Sequence, residues 1–428
     1  MGRTTWLLIA ARAVRSIGQG AMVVDFALYL KALGWSAVAI SVVLGAALLV
    51  GAALTLLVGP LSDRIGRRRF LLGFEAAQML ASLAGLVSAA PSVVVAAGLV
   101  GGFGRGGNGA AGPFAPVEQA WLAQSVRRLD RGRIYSLNSA GGFIGMGVGA
   151  LLAALPARFA AILPGPLAFR PLFALTFACA AGCFLLCLRA ADAEARPAAL
   201  AEAALPGAAE AERAIRQAEN GRVRQLILAN VLNGTGVGLI GPLIAYWFSV
   251  RFGVGPARIA PVMAAAFALS AAASVGTGWI GQRIGVVRAV VAMRAIGLAL
   301  LVALPFAPNF GVAAVLYALR GVFNRSTAGA RAAVSVSLVR GRRRGLAVSA
   351  GNVAMQVPRG IAPVLAGALF EDGMLALPFL LGAAFQAAYL VVYAVSFRAH
   401  DPSLTPAANA ARNLASLARQ RELQREGD

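Results

Sequence analysis

The chain has 428 residues, of which 59% are hydrophobic and 13% charged, and its mean hydropathy is +0.74. This composition excludes an ordinary soluble globular protein and indicates a polytopic membrane protein. The formal net charge of +22 would suggest nucleic-acid binding in a soluble chain. Here, however, the arginines fall between apolar segments, where the positive bias of cytoplasmic loops explains them, so no nucleic-acid partner is expected.

Twelve apolar segments are long enough to cross a bilayer, which takes about 20 residues. The first six predicted spans are residues 6–33, 37–59, 70–90, 93–123, 134–157 and 168–189. The second six are residues 223–251, 258–281, 286–306, 310–338, 345–370 and 375–397. The first span carries Arg12, Arg15 and Asp25 and lacks a convincing cleavage site, which favours a membrane helix over a signal peptide.

These spans predict two six-helix bundles joined by a linker. We expect the first bundle at residues 1–189, an acidic linker at 190–221, the second bundle at 222–397 and a polar tail at 398–428. Arginine-rich loops lie on the same side of the predicted bundle as the linker and both termini; they are residues 64–69, 127–133, 283–288 and 340–344. That side is therefore expected to be cytoplasmic.

A short loop motif occurs twice, 219 residues apart. The first copy runs from Gly59 to Arg69 (GPLSDRIGRRR) and the second from Gly278 to Arg288 (GWIGQRIGVVR). Each copy lies between two apolar spans. The second copy has Gln282 where the first copy has an acid, so the two halves of the chain are not equivalent.

With twelve spans, a central acidic linker and this repeated loop, the chain resembles the major facilitator superfamily over essentially its whole length. The resemblance implies an all-α membrane protein of two pseudo-symmetric six-helix bundles that moves a solute by alternating access. It also implies that the first loop is a cytoplasmic latch that stabilises the outward-open state. We expect the latch to comprise Gly59, Asp63, Arg64, Gly66, Arg67 and Glu118, the last at the end of span 4.

Two charges inside the predicted first bundle are candidates for proton coupling. Asp25 lies in span 1, and Arg105 lies in span 4 within a segment that resembles the Arg-x-x-x-Gly motif of the same family. Their depths differ by about 6 Å at 1.5 Å per residue, so an ion pair is geometrically reasonable. Such a pair can exchange its internal partner for a proton or a substrate. A static structural pair is the alternative.

The second half has no Asp or Glu from Gly221 through Phe370, yet Arg320, Arg325, Arg331 and Arg359 lie within or near spans 10 and 11. Each arginine must use carbonyls, water, an acid from the first half or an anionic ligand. The candidate substrate-binding residues are Asn108, Asn233, Tyr317, Arg320, Asn324, Gln356 and Arg359. The alternative is that Arg320 and Arg359 only tie helices together or pair with Asp25.

Neither a metal nor a cofactor is expected. The only histidine, His400, follows the last span, and Cys179, Cys183 and Cys187 share one helical face where packing is the favoured role. The chain lacks a Gly-x-x-x-x-Gly-Lys-Ser/Thr pattern, which disfavours an ATP-driven pump. No Ser–His or Cys–His pair is possible within the membrane, which disfavours an enzyme.

The sequence thus predicts a monomeric secondary transporter of a bacterial inner membrane, with both termini cytoplasmic. Its partners would be a small-molecule substrate, protons and the lipid bilayer. By analogy with the family, we expect a proton-coupled exporter of amphiphilic or organic compounds. The alternatives are an importer or exchanger of an anionic or organic-acid solute and a non-transporting sensor or scaffold.

Overall fold

The computed structural model describes residues 2–105, 114–125, 131–191, 209–327, 330–331, 334–335, 338 and 344–398. Every regular element within these ranges is helical. Ten of the helical segments are long and apolar enough to cross a membrane. The polar tail, most of the linker and Asn108 lie outside the described residues.

The first bundle contains eight described helices. They are α1 (Arg3–Ala32), α2 (Ala37–Ile65), α3 (Arg67–Val87), α4 (Pro91–Gly101), α5 (Phe114–Ser125), α6 (Arg131–Leu152), α7 (Leu155–Phe159) and α8 (Arg170–Arg189). The predicted span 93–123 is interrupted within the described residues, because α4 ends at Gly101 and is capped by Gly102. This residue has a left-handed backbone (φ +62°) that glycine adopts without strain.

The second bundle contains seven described helices. They are α9 (Ala209–Gly238), α10 (Ile244–Phe252), α11 (Pro256–Ile284), α12 (Val286–Ala303), α13 (Phe310–Arg325), α14 (Arg344–Glu371) and α15 (Leu377–Phe397). The predicted span 223–251 is divided into α9 and α10 by a 3₁₀ turn over Gly241–Leu243. Pro242 lies in this turn and has no backbone N–H to continue an α-helix.

The repeated loop has the same backbone geometry in both bundles. Gly66 joins α2 to α3 with φ +96° and ψ 136°, and Gly285 joins α11 to α12 with φ +96° and ψ 143°. A side chain would be strained at either position, so glycine is needed for the turn. The end of the molecule that holds both turns is called the arginine-rich face below, and the other end the opposite face.

Packing within the two bundles is equivalent. In the first bundle α1 packs against α6 and α8, and in the second α9 packs against α14 and α15. The bundles meet through α2 against α14 and α6 against α11. A Cβ on Gly367 would lie 2.7 Å from the carbonyl oxygen of Ala37, so glycine permits the close approach of α2 and α14 near the opposite face.

Among the described side chains, one hydrophobic core joins the two bundles near the opposite face, and each bundle has its own core near the arginine-rich face. One hydrophobic cluster extends across both bundles and includes Phe26, Phe103, Trp247 and Phe379. Two smaller clusters lie towards the arginine-rich face, and each belongs to one bundle only. Two polar contacts reinforce the junction near the opposite face, because Lys31 Nζ donates to Ser249 Oγ at 3.0 Å and Glu371 Oε1 accepts from the Val38 amide at 2.8 Å.

Candidate functional site

A central cavity of about 490 Å³ lies between the two bundles. The first bundle contributes a mostly apolar wall; its lining residues are Val23, Leu48, Ala52, Thr55, Leu56, Gly104 and Gln119. The second bundle contributes nearly all of the polar groups. Five of its arginines line the cavity: Arg294, Arg320, Arg325, Arg331 and Arg359.

The cavity brings together the residues that the sequence singled out for substrate binding. Six of the seven candidates line it: Asn233, Tyr317, Arg320, Asn324, Gln356 and Arg359. They come from α9, α13 and α14. The seventh candidate, Asn108, lies outside the described residues. The cavity thus brings together six candidate side chains, of which the outermost are 126 positions apart in the sequence.

Arg294 is a cavity residue that the sequence analysis missed. It lies on α12, and its side chain is buried. Arg294 donates to Oδ1 of Asn233 and, at 3.2 Å, to Oδ1 of Asn324, and its guanidinium lies 4.7 Å from the ring centre of Tyr389. The signal that was missed is an arginine inside an apolar span. Placing an arginine at the centre of a membrane helix costs about 2.5–3.5 kcal/mol, so such a residue usually has a function.

Arg325 is also held by neutral groups. Its terminal nitrogens donate to the Tyr317 hydroxyl at 3.1 Å and to Ser270 Oγ and the Ala266 carbonyl at 3.4 Å. Its guanidinium lies 4.7 Å from the centre of the Phe267 ring. These contacts satisfy the donors of Arg325, but none of them supplies a negative charge.

Arg320 and Arg359 have fewer protein partners. Arg359 donates to Gln356 Oε1 at 3.5 Å, and within the described residues Arg320 makes no hydrogen bond. The Nε atoms of both side chains are buried without an acceptor. Neither arginine forms an ion pair with Asp25 within the described part of the chain, so the structure does not support that alternative. The described lining of the cavity contains no carboxylate at all.

Two buried arginines of α1 are paired with acids of the first bundle. Arg15 lies 3.1 Å from Glu75, and Arg12 lies 3.7 Å from Glu118. The Arg15 guanidinium also stacks between the rings of Phe74 and Phe114, at 4.6 and 4.5 Å from their centres. These pairs join α1 to α3 and α5.

The structure does not bring Asp25 and Arg105 together. Asp25 is fully buried, and neither of its carboxylate oxygens has a hydrogen-bond partner among the described residues. Arg105 follows the turn at the end of α4, donates to the Leu99 carbonyl at 3.4 Å and packs against Gly51 and Gly102. The ion pair was inferred from depth alone, and depth does not fix the direction in which a side chain leaves its helix.

The predicted latch residues are described only in part. Gly66 forms the turn between α2 and α3, and Arg67 begins α3. Gly59 lies within α2, whereas the side chains of Asp63 and Arg64 fall outside what the structure describes. The neighbouring Arg68 donates to the Leu188 carbonyl, which links the motif to α8. Glu118 contacts Arg12 of α1.

The three cysteines form one buried face of α8. Gly18 of α1 packs against Cys179 and Thr176, where a Cβ would be 3.3 Å from the Cys179 side chain. Close packing of α1 on α8 therefore accounts for this face.

Comparisons with known proteins agree with this architecture. The family model described as Major Facilitator Superfamily matches residues 8–219 and 226–427. No curated protein matches the chain. Among solved structures, a bacterial homologue of the human lysosomal transporter Spinster, in an inward-facing and occupied conformation, is 13% identical with a TM-score of 0.68. The match covers 92% of this chain and 96% of that one.

Two further solved structures have the same fold. A D-xylose–proton symporter is 15% identical with a TM-score of 0.67, and the match covers 91% of this chain and 96% of the symporter. A point mutant of the nucleoside transporter NupG is 12% identical with a TM-score of 0.69, and the match covers 92% of this chain and 100% of that one. At these identities the likeness establishes the fold alone.

Proposed function

The chain belongs to the major facilitator superfamily, and from this premise we propose that it is a secondary active transporter of a small anionic solute. The observation that carries the proposal is the cavity wall of five arginines without a carboxylate among the described lining residues. In a low-dielectric cavity an anion gains charge-assisted hydrogen bonds from such a wall, whereas a cation is repelled. This geometry favours the anionic alternative over the exporter of amphiphilic compounds.

Alternating access is the proposed mechanism. The packed opposite face and the bundle-specific clusters near the arginine-rich face support a state in which the cavity communicates with one side only. If the arginine-rich face is cytoplasmic, as its charge suggests, this state is inward-facing. The proposed location is a bacterial inner membrane with both termini on the cytoplasmic side, and the proposed unit is the monomer.

Proton coupling through Asp25 is part of the proposal. A fully buried carboxylate without a hydrogen-bond partner among the described residues is costly to keep charged, so conformational changes that hydrate Asp25 would also change its proton occupancy. The similar fold of a proton symporter is compatible with this mechanism. Arg105 would influence coupling through the neighbouring helices α2 and α4 instead of by direct pairing.

Transport in proteoliposomes under an imposed pH gradient tests the proposal. Radiolabelled succinate and glycerol 3-phosphate serve as anionic probes, and the dye ethidium serves as an amphiphilic cation. We expect at least one anion to be transported and ethidium to be excluded. The direction of proton-driven anion movement distinguishes export from import.

The matched variants are Arg320→Gln in the cavity and Arg251→Gln on the exposed end of α10. Arg320→Gln should weaken anion affinity at least about tenfold, while Arg251→Gln should leave it unchanged. Unchanged affinity in Arg320→Gln, or transport of ethidium alone, would contradict the proposal. Anion binding without any transport would indicate a sensor.

A further inference from the structure

The arginines of the cavity differ in how far the protein itself satisfies them. Arg294 and Arg325 each donate to several neutral acceptors. Arg331 also lines the cavity and its Nε has no acceptor among the described residues, but this side chain is only half-buried. Arg320 and Arg359 are buried, yet they have together one hydrogen bond to a described residue, from Arg359 to Gln356. These two guanidinium groups therefore retain most of their donors for a ligand.

Four neutral polar residues of the cavity accept hydrogen bonds from its arginines, and Nδ2 of one of them, Asn233, also donates to Met355 Sδ at 3.6 Å. Asn233 and Asn324 accept from Arg294, Tyr317 accepts from Arg325, and Gln356 accepts from Arg359. An amide whose oxygen is engaged still has two N–H donors, and a hydroxyl that accepts a hydrogen bond can still donate one. The wall thus offers donors to its ligand from neutral and charged side chains alike.

Arg320 and Arg359 are carried by different helices of the wall. Arg320 is on α13, which packs against α11 and α12, whereas Arg359 is on α14, which packs against α2 and α9. Two separate cationic anchors match two separate anionic groups better than one, because a single anion engaging one anchor would leave the other without a counter-charge.

We propose that the transported solute carries two negatively charged oxyanion groups, one bound by Arg320 and the other by Arg359. Carboxylate and phosphate groups are the suitable chemistry, since both accept paired hydrogen bonds from guanidinium. The amides of Asn233, Asn324 and Gln356 then donate to the remaining oxygens. This inference rests on the proposed anion transport and narrows the class of solutes to dianions.

Ligand-induced thermal stabilisation of the purified full-length protein tests the inference, because a ligand that binds the folded state raises the unfolding temperature as its occupancy increases. Succinate is compared with monomethyl succinate, which has nearly the same size and one charge fewer. We expect succinate to bind at least about tenfold more tightly. For a solute with one phosphate and one carboxylate, 3-phosphoglycerate and its methyl carboxylate ester form a second pair.

The arginine variants identify the anchors. Arg320→Gln and Arg359→Gln should each reduce the preference for the dianion to about threefold or less, whereas Arg251→Gln should preserve it. Arg320→Lys, which keeps the charge, should retain part of the preference, and it serves as the test if a glutamine variant does not fold. Equal affinity for the dianion and its monoester would overturn the dianion inference and leave anion transport intact. If neither the dianion nor the monoester of either pair binds, the anion proposal is overturned as well.

Discussion

The two bundles use the same loop geometry, but among the described residues only the first bundle pairs buried arginines with acids. In the first bundle Arg12 and Arg15 have the carboxylates of Glu118 and Glu75 as partners. In the second bundle the cavity arginines meet only neutral groups within the described residues. A paired arginine is already neutralised by the fold, whereas an unpaired one in a cavity is available to a ligand. We therefore propose helix attachment for Arg12 and Arg15 and solute binding for the cavity arginines.

The largest expected effect comes from removing a partner in the first bundle. Glu75→Gln leaves Arg15 buried without its carboxylate, which should cost about 3–5 kcal/mol of stability. The measurement is the unfolding midpoint of the purified protein in detergent. The double variant Arg15→Met with Glu75→Gln removes the stranded charge and should recover much of the loss. If Glu75→Gln alone is as stable as the native protein, the Arg15–Glu75 pair does not hold α1 to α3.

Adding a carboxylate to the second bundle should have the next largest effect. Gln356→Glu places an acid beside Arg359, because Gln356 Oε1 already lies 3.5 Å from that guanidinium. The new internal pair competes with the anionic solute and should lower its affinity about 100-fold, or about 3 kcal/mol. Solute-dependent thermal stabilisation measures the change.

The matched control for this change is Gln356→Leu. This variant removes the amide without adding a charge. The binding free energy of the anion should therefore fall only by the value of one hydrogen bond, about 1 kcal/mol. If Gln356→Glu and Gln356→Leu weaken anion binding equally, the electrostatic role of the acid-free wall is refuted.

Asp25 differs from the other buried acids of the first bundle because it has no arginine partner among the described residues. Its substitution should change stability less than Glu75→Gln does, and in the opposite direction. Because Asp25 is buried without a described partner, Asp25→Asn should leave stability unchanged or raise it by about 1 kcal/mol. The same variant should abolish solute accumulation driven by a pH gradient while preserving counterflow of labelled solute. Destabilisation similar to that of Glu75→Gln would indicate a structural role for Asp25, and intact proton-driven accumulation would exclude it as the carrier.

Ten of the twelve predicted spans have a counterpart among the described helices that are long and apolar enough to cross a membrane, because hydropathy depends on composition along the chain. Six cavity residues were also predicted, since polar groups in apolar spans tend to face a cavity. The partners of the charges were harder to predict. Asp25 and Arg105 have similar depths but do not meet, whereas Arg12 and Glu118 meet although no spacing rule links them. Pairing depends on which helices pack and on the direction of each side chain, and neither is encoded by a local motif.

The smallest effect concerns the contact that joins the two bundles at the opposite face. Glu371 is the first carboxylate after the acid-free stretch of the second half, and it lies at the end of α14. Its Oε1 accepts from the Val38 amide in the first turn of α2, at 2.8 Å. A carboxylate at a helix N-terminus contributes about 0.3–1 kcal/mol when exposed. Because α2 and α14 must separate for this face to open, Glu371 should stabilise the closed state by that amount.

Glu371→Gln should therefore increase the population open at the opposite face by up to about fivefold. Ser41→Cys reports the opening, since Ser41 is fully buried on α2 against Gly367 of α14, while the three native cysteines are buried in α8. The rate at which a membrane-impermeant maleimide labels the introduced thiol should rise in the Glu371→Gln background. Asp372→Asn, which changes the adjacent exposed acid, should leave the rate unchanged. Equal rates in both backgrounds would mean that Glu371 does not stabilise the closed state of this face.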